Sequence, residues 1–196
     1  MRQRGFTLIE LVVTLTVLGL LMALGMPAMG EWMGSLRIRN AAESAQNGLG
    51  KARMEAMRRN QVVTYWIVTD KTSGCALTSV AASWVVSLDD PTGHCADAAS
   101  AAATPRLIEA YGASDGAGDV AVAAKASLAS GGAAATSVGF NGFGQVVNTG
   151  TAIARIDLSS NTVASARKLS VTISPGGAIR MCDPLVVTVG DSRACS

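Results

Sequence analysis

The sequence predicts an α+β protein: a long N-terminal helix, apolar in its first half and amphipathic in its second, packed on a β-rich head of antiparallel strands. Three observations predict it. Between Phe6 and Gly30 the single charged residue is Glu10. From Ile38 to Ala56, apolar residues recur three and four positions apart, the spacing of one helical face. After Asn60 that period gives way to short Val/Ile/Ala-rich segments separated by Gly, Ser, Asp and Asn clusters, as strands and turns require. At 196 residues, 49% hydrophobic but 4% aromatic, the chain has room for one domain and an appendage, and its head must be packed from small and branched side chains.

Residues 6–30 are read as a membrane-spanning helix, because a rise of about 1.5 Å per residue carries such a run across a hydrocarbon layer about 30 Å thick. Arg2 and Arg4 precede it and predict a cytoplasmic N-terminus, with the remainder beyond the membrane. Two plainer readings exist. One is a secretory signal cut after Ala28-Met29-Gly30, and the other an anchor with no further role. Glu10 speaks against the first, since an ionised side chain toward the bilayer centre costs roughly 2.5 kcal/mol or more unless it finds a partner. Thr14, Thr16 and Gly19 are small or polar interruptions suited to helix packing. Pro27 lacks an amide donor and predicts a kink near Ala23 to Met26.

From residue 31 to 60 the helix continues as an amphipathic segment, with Ile38, Ala41, Ala45, Leu49, Ala52 and Ala56 on one stripe. Arg37, Arg39, Glu43, Lys51, Arg53, Glu55, Arg58 and Arg59 fall mainly elsewhere and read as a solvated face. Gly48 and Gly50 each weaken the helix by up to about 1 kcal/mol relative to Ala. The head, residues 61–196, is predicted to hold nine strands: 62–68, 83–88, 106–111, 119–124, 137–140, 145–147, 154–158, 169–174 and 178–182. Pro175-Gly176-Gly177 centres the clearest hairpin and Asn141-Gly142 marks a second tight turn. Ala96 to Ala103 and Ser127 to Thr136 read as low-complexity surface loops.

The net charge is +2. Without Arg2 and Arg4 the 16 basic residues fall to 14, equal to the 14 acidic ones, so overall charge does not favour a polyanionic partner. The four cysteines, Cys75, Cys95, Cys182 and Cys195, fit no Cys-x-x-Cys spacing. In an exported chain an even count reads as two disulfides. Three connectivities are possible, and the sequential one, Cys75 with Cys95 and Cys182 with Cys195, is expected. The lone His94 beside Cys95 and the turn residues Asp89-Asp90 supply no recognisable metal or nucleophile site, and no phosphate-binding loop is present. No enzymatic activity, cofactor or metal is expected.

Gly5-Phe6-Thr7-Leu8-Ile9-Glu10 resembles the processing site of type IV prepilins and pseudopilins. The resemblance implies a leader of residues 1–5, cleavage by a prepilin peptidase after Gly5, methylation of the new terminal Phe6, and an assembly role for Glu10. Helices packed with a small axial offset can pair the Glu10 carboxylate of one chain with the Phe6 ammonium of another. An acid that is costly alone in lipid thereby favours the assembled fibre. The family's helices are likewise broken by a proline near position 27.

The head resembles the GspH/FimT family of minor pilins and pseudopilins, through Ala52-Arg53-Met54-Glu55-Ala56, Val138-Gly139-Phe140-Asn141-Gly142-Phe143-Gly144, and Val171 to Arg180 followed by Cys182-Asp183. The resemblance implies two sheets packed against the continuing helix. It also implies an inner-membrane protein with a periplasmic head, whose partners are other pilins and whose mature form sits in a fibre. The reading is a minor pilin of a type IV pilus at the tip or initiating complex, with a type II secretion pseudopilin as the alternative. Some FimT-like members bind DNA through a Gly-Arg-x-Arg hairpin. Here that stretch is Gly177-Ala178-Ile179-Arg180, lacking the first arginine, so Arg180 with Arg167, Lys168 and Arg193 forms a weaker candidate DNA site.

Overall fold

The computed structural model describes residues 7–129, 131–188 and 190–195, without the side chains of 24–28. The predicted leader and cleavage site, residues 1–5 and Phe6, lie outside them. Helix α1 (Leu8–Arg59) runs unbroken through both predicted helical segments, and the kink expected near Ala23 to Met26 falls largely on the undescribed side chains. Its start is fixed by Thr7, whose hydroxyl accepts a hydrogen bond from the Glu10 amide at 3.3 Å. Its end is fixed by Asn60 in the left-handed conformation at φ 51°, a C-terminal cap that asparagine tolerates well.

Nine strands follow: β1 (Val63–Val68), β2 (Ser83–Ser87), β3 (Leu107–Tyr111), β4 (Val120–Lys125), β5 (Ser137–Phe140), β6 (Val146–Val147), β7 (Arg155–Ser160), β8 (Leu169–Ile173) and β9 (Ile179–Cys182). They form a five-stranded sheet in the order β3-β2-β1-β5-β6 and a four-stranded sheet in the order β4-β7-β8-β9. Every strand pairing is antiparallel, with Tyr65 opposite Val86 and Val138, and Val171 opposite Ile156 and Met181.

The C-terminal half of α1 lies against both sheets. Its stripe of Ile38, Ala41, Ala42, Ala45, Leu49, Ala52 and Ala56 is buried with Tyr65, Phe140, Ile153, Ile156 and Val171 in one core. Alanine at most contact positions lets the helix backbone approach the sheets closely, and the larger side chains come from the strands. Gly48 answers a specific need. A Cβ there would lie 2.9 Å from three ring atoms of Trp84, whose indole lies over the helix and donates from Nε1 to Ser44 Oγ at 3.0 Å. Gly50 has nothing within 4 Å and remains a weakness of the helix.

Two expectations are revised. Ser127 to Thr136 is more than a surface loop, because Ala134 bridges back to Lys125 and Ala135, which is buried, donates to the Ala124 carbonyl. The strand β4 thus recruits the end of the segment that follows it. In the turn after β5 the left-handed residue is Gly144, at φ 74°, rather than Gly142, because the Asn141 carboxamide accepts the amides of Phe143 and Gln145 and closes a longer loop. Among the described residues no helix is long and apolar enough to cross a membrane; the span expected at 6–30 lies partly outside them, at Phe6 and at the side chains of 24–28.

Candidate functional site

The first candidate site is the start of α1. Gly5 and Phe6 lie outside the described residues, but Glu10 occupies the first helical turn and is exposed. Thr7 and Glu10 stand at the spacing of a capping box. Only the Thr7 half is formed, and among the described residues the Glu10 carboxylate has no hydrogen-bond or ion-pair partner. Sequence reasoning missed Thr7, although Thr-x-x-Glu ahead of an apolar run is a readable helix-start signal. The cap satisfies the amide of Glu10 itself. Around Glu10 the helix is apolar and open, with Leu8 80% and Ile9 73% exposed.

A second constellation joins the three head motifs singled out above. Arg53 Nε on α1 donates to the Gly144 carbonyl at 3.0 Å, and the Val146 amide donates to the Pro175 carbonyl at 3.0 Å. Gly177, at φ 81°, packs so closely that a side chain there would run into the Gly144 carbonyl oxygen. The end of the helix, the β5–β6 turn and the β8–β9 turn therefore meet at one junction. Arg53, expected on a solvated face, is turned inward as the bracket between helix and turn. The arrangement carries no nucleophile or acid-base pair; it fixes the two hairpins against the helix and holds Phe143, 82% exposed, at the tip of the turn.

The candidate DNA cations gather near β9, where Arg167 and Arg193 line the same groove. Arg167 pairs with Asp183 at 3.0 Å and Arg193 with Asp191 at 2.7 Å, while Arg180 donates to the Ser192 carbonyl at 3.2 Å. The Arg193 guanidinium holds the Asp191 carboxyl at about 2. Lys168 is exposed. Two of the four charges are thus already matched by carboxylates, which lowers the number available for phosphate and with it the salt-dependent part of DNA affinity.

Cys75 is bonded to Cys95 and Cys182 to Cys195. The first disulfide is buried with Val68, Val85 and Leu107 in a small second core on the outer face of the five-stranded sheet. The second ties the C-terminal segment to β9, where Asp183 donates its amide to the Arg193 carbonyl and bridges to Ala194 in parallel. The carboxylates near the first disulfide have structural partners: Asp89 binds Arg106 through two side-chain contacts and its amide, which hold the Asp89 carboxyl at about 2. Asp90 accepts from Thr92, and His94 Nδ1 lies 2.9 Å from Asp97. Among the described residues no group of three or more His, Cys, Asp or Glu is placed to hold a metal ion.

Residues 1–26 match the prokaryotic N-terminal methylation motif, and residues 41–177 match the type II transport protein GspH family. A pilin-like protein of Thermus thermophilus, PilA1, is 36% identical over 77 residues, covering 39% of this chain and 48% of that protein. The chain therefore spans about half the length of this relative. Two crystal forms of the Pseudomonas aeruginosa type IV minor pilin FimU are similar at TM-scores of 0.48 and 0.45, with 15% and 17% identity. They cover 74% and 73% of this chain and 87% and 90% of theirs. The methylation motif at the head of the helix and the GspH match across most of the chain place it in one family: it is a type IV pilin-like protein of the GspH/FimT type, a minor pilin or pseudopilin whose family is structural rather than enzymatic.

Proposed function

We propose that this chain is a minor pilin of a type IV pilus, held in the inner membrane by residues 6–30 with its head on the periplasmic side. It is cut after Gly5, methylated on Phe6, and drawn into the fibre at its tip or initiating complex. One observation carries the proposal: an exposed Glu10 carboxylate, without a partner among the described residues, in the first turn of an apolar helix and at the end of the processing motif. The new Phe6 amine of one subunit and the Glu10 carboxylate of its neighbour neutralise each other. In an apolar surrounding an ion pair is tolerated where a lone acid is not, so the charge pair sets register while the apolar helix surfaces supply contact area. The partners are other pilins and the prepilin peptidase.

The match to GspH favours a second reading, a pseudopilin of a type II secretion system that uses the same stalk. A deletion strain that loses surface pili but still secretes its exoproteins supports the pilus; normal pili with blocked secretion support the pseudopilin. DNA capture by the head receives little support, since Arg167 and Arg193 are paired and Ala178 stands where a second hairpin arginine is needed.

The direct test is N-terminal sequencing of protein from sheared surface fibres, expected to begin at methylated Phe6. In the same cells Glu10→Ala should leave cleavage and membrane insertion intact and reduce incorporation by about tenfold or more, the loss expected if each joint forfeits at least about 1.4 kcal/mol. Incorporation of this variant at the parental level removes the charge-pairing account.

A further inference from the structure

We propose that the base of the head is a membrane-docking surface that rests on the phospholipid headgroups of the bilayer entered by the stalk. This rests on the membrane-anchored reading above and deepens it by naming what the first turns beyond the anchor touch.

Met29, Trp32, Met33 and Leu36 recur at intervals of three and four along α1 and are 64%, 62%, 44% and 39% exposed. They form a face distinct from the stripe that packs into the head, and they continue the exposed apolar surface of Leu8 to Met22. The helix joins the head immediately beside them. Gly34 lies tightly against Val163 and Ala166, Ser35 Oγ accepts the Arg167 amide at 3.2 Å, and Arg37 is paired with Asp119. The helix therefore joins the head within about one turn of Trp32.

Length decides what covers the face. A hydrocarbon layer about 30 Å thick takes about 20 residues of helix, so a crossing that begins near Leu8 ends near Ala28. Trp32 then stands about one turn farther on, in the headgroup layer, where an indole places its ring against acyl chains and its N–H among polar groups. The head brings matching chemistry to that level. A groove of about 360 Å³ opens between Trp32, Leu36 and Arg39 on the helix and Leu169, Met181 and Arg193 on the head. Beside it Lys168, between the lining residues Arg167 and Leu169, is exposed. Arg39, Arg167 and Arg193 are engaged in ion pairs with their own side chains 58–69% exposed. The carboxylates of Glu43, Asp183 and Asp191 match these cations against lipid phosphate as they do against DNA, which leaves Lys168 as the exposed cation at this level. The apolar face and its level along the helix thus point to one occupant, and the exposed Lys168 adds a cation at that level.

The test uses the full chain reconstituted into phosphatidylcholine vesicles with and without phosphatidylglycerol, with some lipids brominated near the carbonyl end of the acyl chain. Trp84 is buried in the head and Trp66 half-buried, so the quenched emission is that of Trp32, identified by its loss in Trp32→Phe. The expected result is strong quenching by the shallow bromines, deeper in the anionic vesicles, with that lipid dependence lost in Lys168→Glu. Three results overturn the proposal. Protein stripped from the vesicles by alkaline carbonate defeats the anchored reading itself. Protein that resists carbonate while Trp32 stays unquenched leaves the anchor standing and removes the docking surface. Trp32 unquenched in vesicles but shielded in sheared fibres assigns the face to a neighbouring subunit.

Discussion

The two halves of α1 are both rich in apolar residues, yet the head accounts for only one of them. From Ile38 to Ala56 the apolar positions form a stripe of small residues that disappears against two sheets. From Leu8 to Met22 the helix is apolar on all sides, and its large side chains are about half to four-fifths exposed. The difference teaches where each half finds its partner. A helix with one apolar face completes its burial within its own chain, whereas a helix apolar all round needs lipid or other helices. The same methylene group should therefore be worth very different amounts in the two halves.

The largest expected effect follows directly. Leu49 is fully buried, and Leu49→Ala should destabilise the head by about 2 to 5 kcal/mol, the loss of transfer energy plus the cavity left behind. Leu18, 49% exposed, should change head stability by less than about 0.5 kcal/mol when cut to Ala, and instead weaken retention in vesicles or fibres. Chemical denaturation of the full chain in detergent measures both. Equal losses at the two positions would mean that the stalk packs on the head.

A similar pairing of sites separates the turns. Gly177→Ala must place a side chain at positive φ against the Gly144 carbonyl, and about 1 to 3 kcal/mol is the expected loss from backbone strain alone. Gly176 meets only Ser174 Oγ at 4.0 Å, so Gly176→Ala should be near neutral. If the two behave alike, the helix, β5–β6 and β8–β9 junction is not the bracket described here. Within α1 the contrast is smaller. Gly50→Ala should stabilise the helix by up to about 1 kcal/mol, while Gly48→Ala forfeits that gain because the new methyl displaces the Trp84 ring.

These pairs also mark what was legible in the sequence. The strands were readable because turn residues bracket each of them, and β3, β5 and β8 lie within one or two residues of their expected limits. The helical stripe was readable because its period persists for five turns. Gly48 and Gly50 were indistinguishable, since the need for one of them comes from Trp84, 36 positions away. Arg53 was assigned to solvent for the same reason: its partner is a carbonyl on a turn 91 residues distant, and backbone acceptors leave no trace in composition. At the candidate site the processing motif and Glu10 were legible as a local string. The pairing of Arg167 with Asp183, 16 positions away, depended on the β8–β9 hairpin, whereas Arg193 and Asp191 stand only two residues apart.

The smallest effect expected is electrostatic, and it separates the halves by pH. Asp89, held by Arg106, and Asp191, held by Arg193, both have carboxyls near 2 in the folded head against an ordinary value of 3.8. A depressed folded-state value means that the unfolded chain takes up protons first as pH falls. The stabilisation is therefore complete above about pH 4 and is lost between about 4 and 2. Both pairs are solvent-accessible, so the slope should be shallow and should flatten further in high salt. Arg106→Gln combined with Arg193→Gln should remove most of the slope in that window by lowering the midpoint at pH 7 slightly, toward its value near pH 2. The stalk helix, whose described residues hold Glu10 as their one acid before Glu31, lacks such pairs. Far-ultraviolet helix signal should persist in detergent through the pH range in which the head's denaturation midpoint declines. A helix signal that falls in step with the head would show that the two halves of α1 are one cooperative unit, and that the division between them ends at burial.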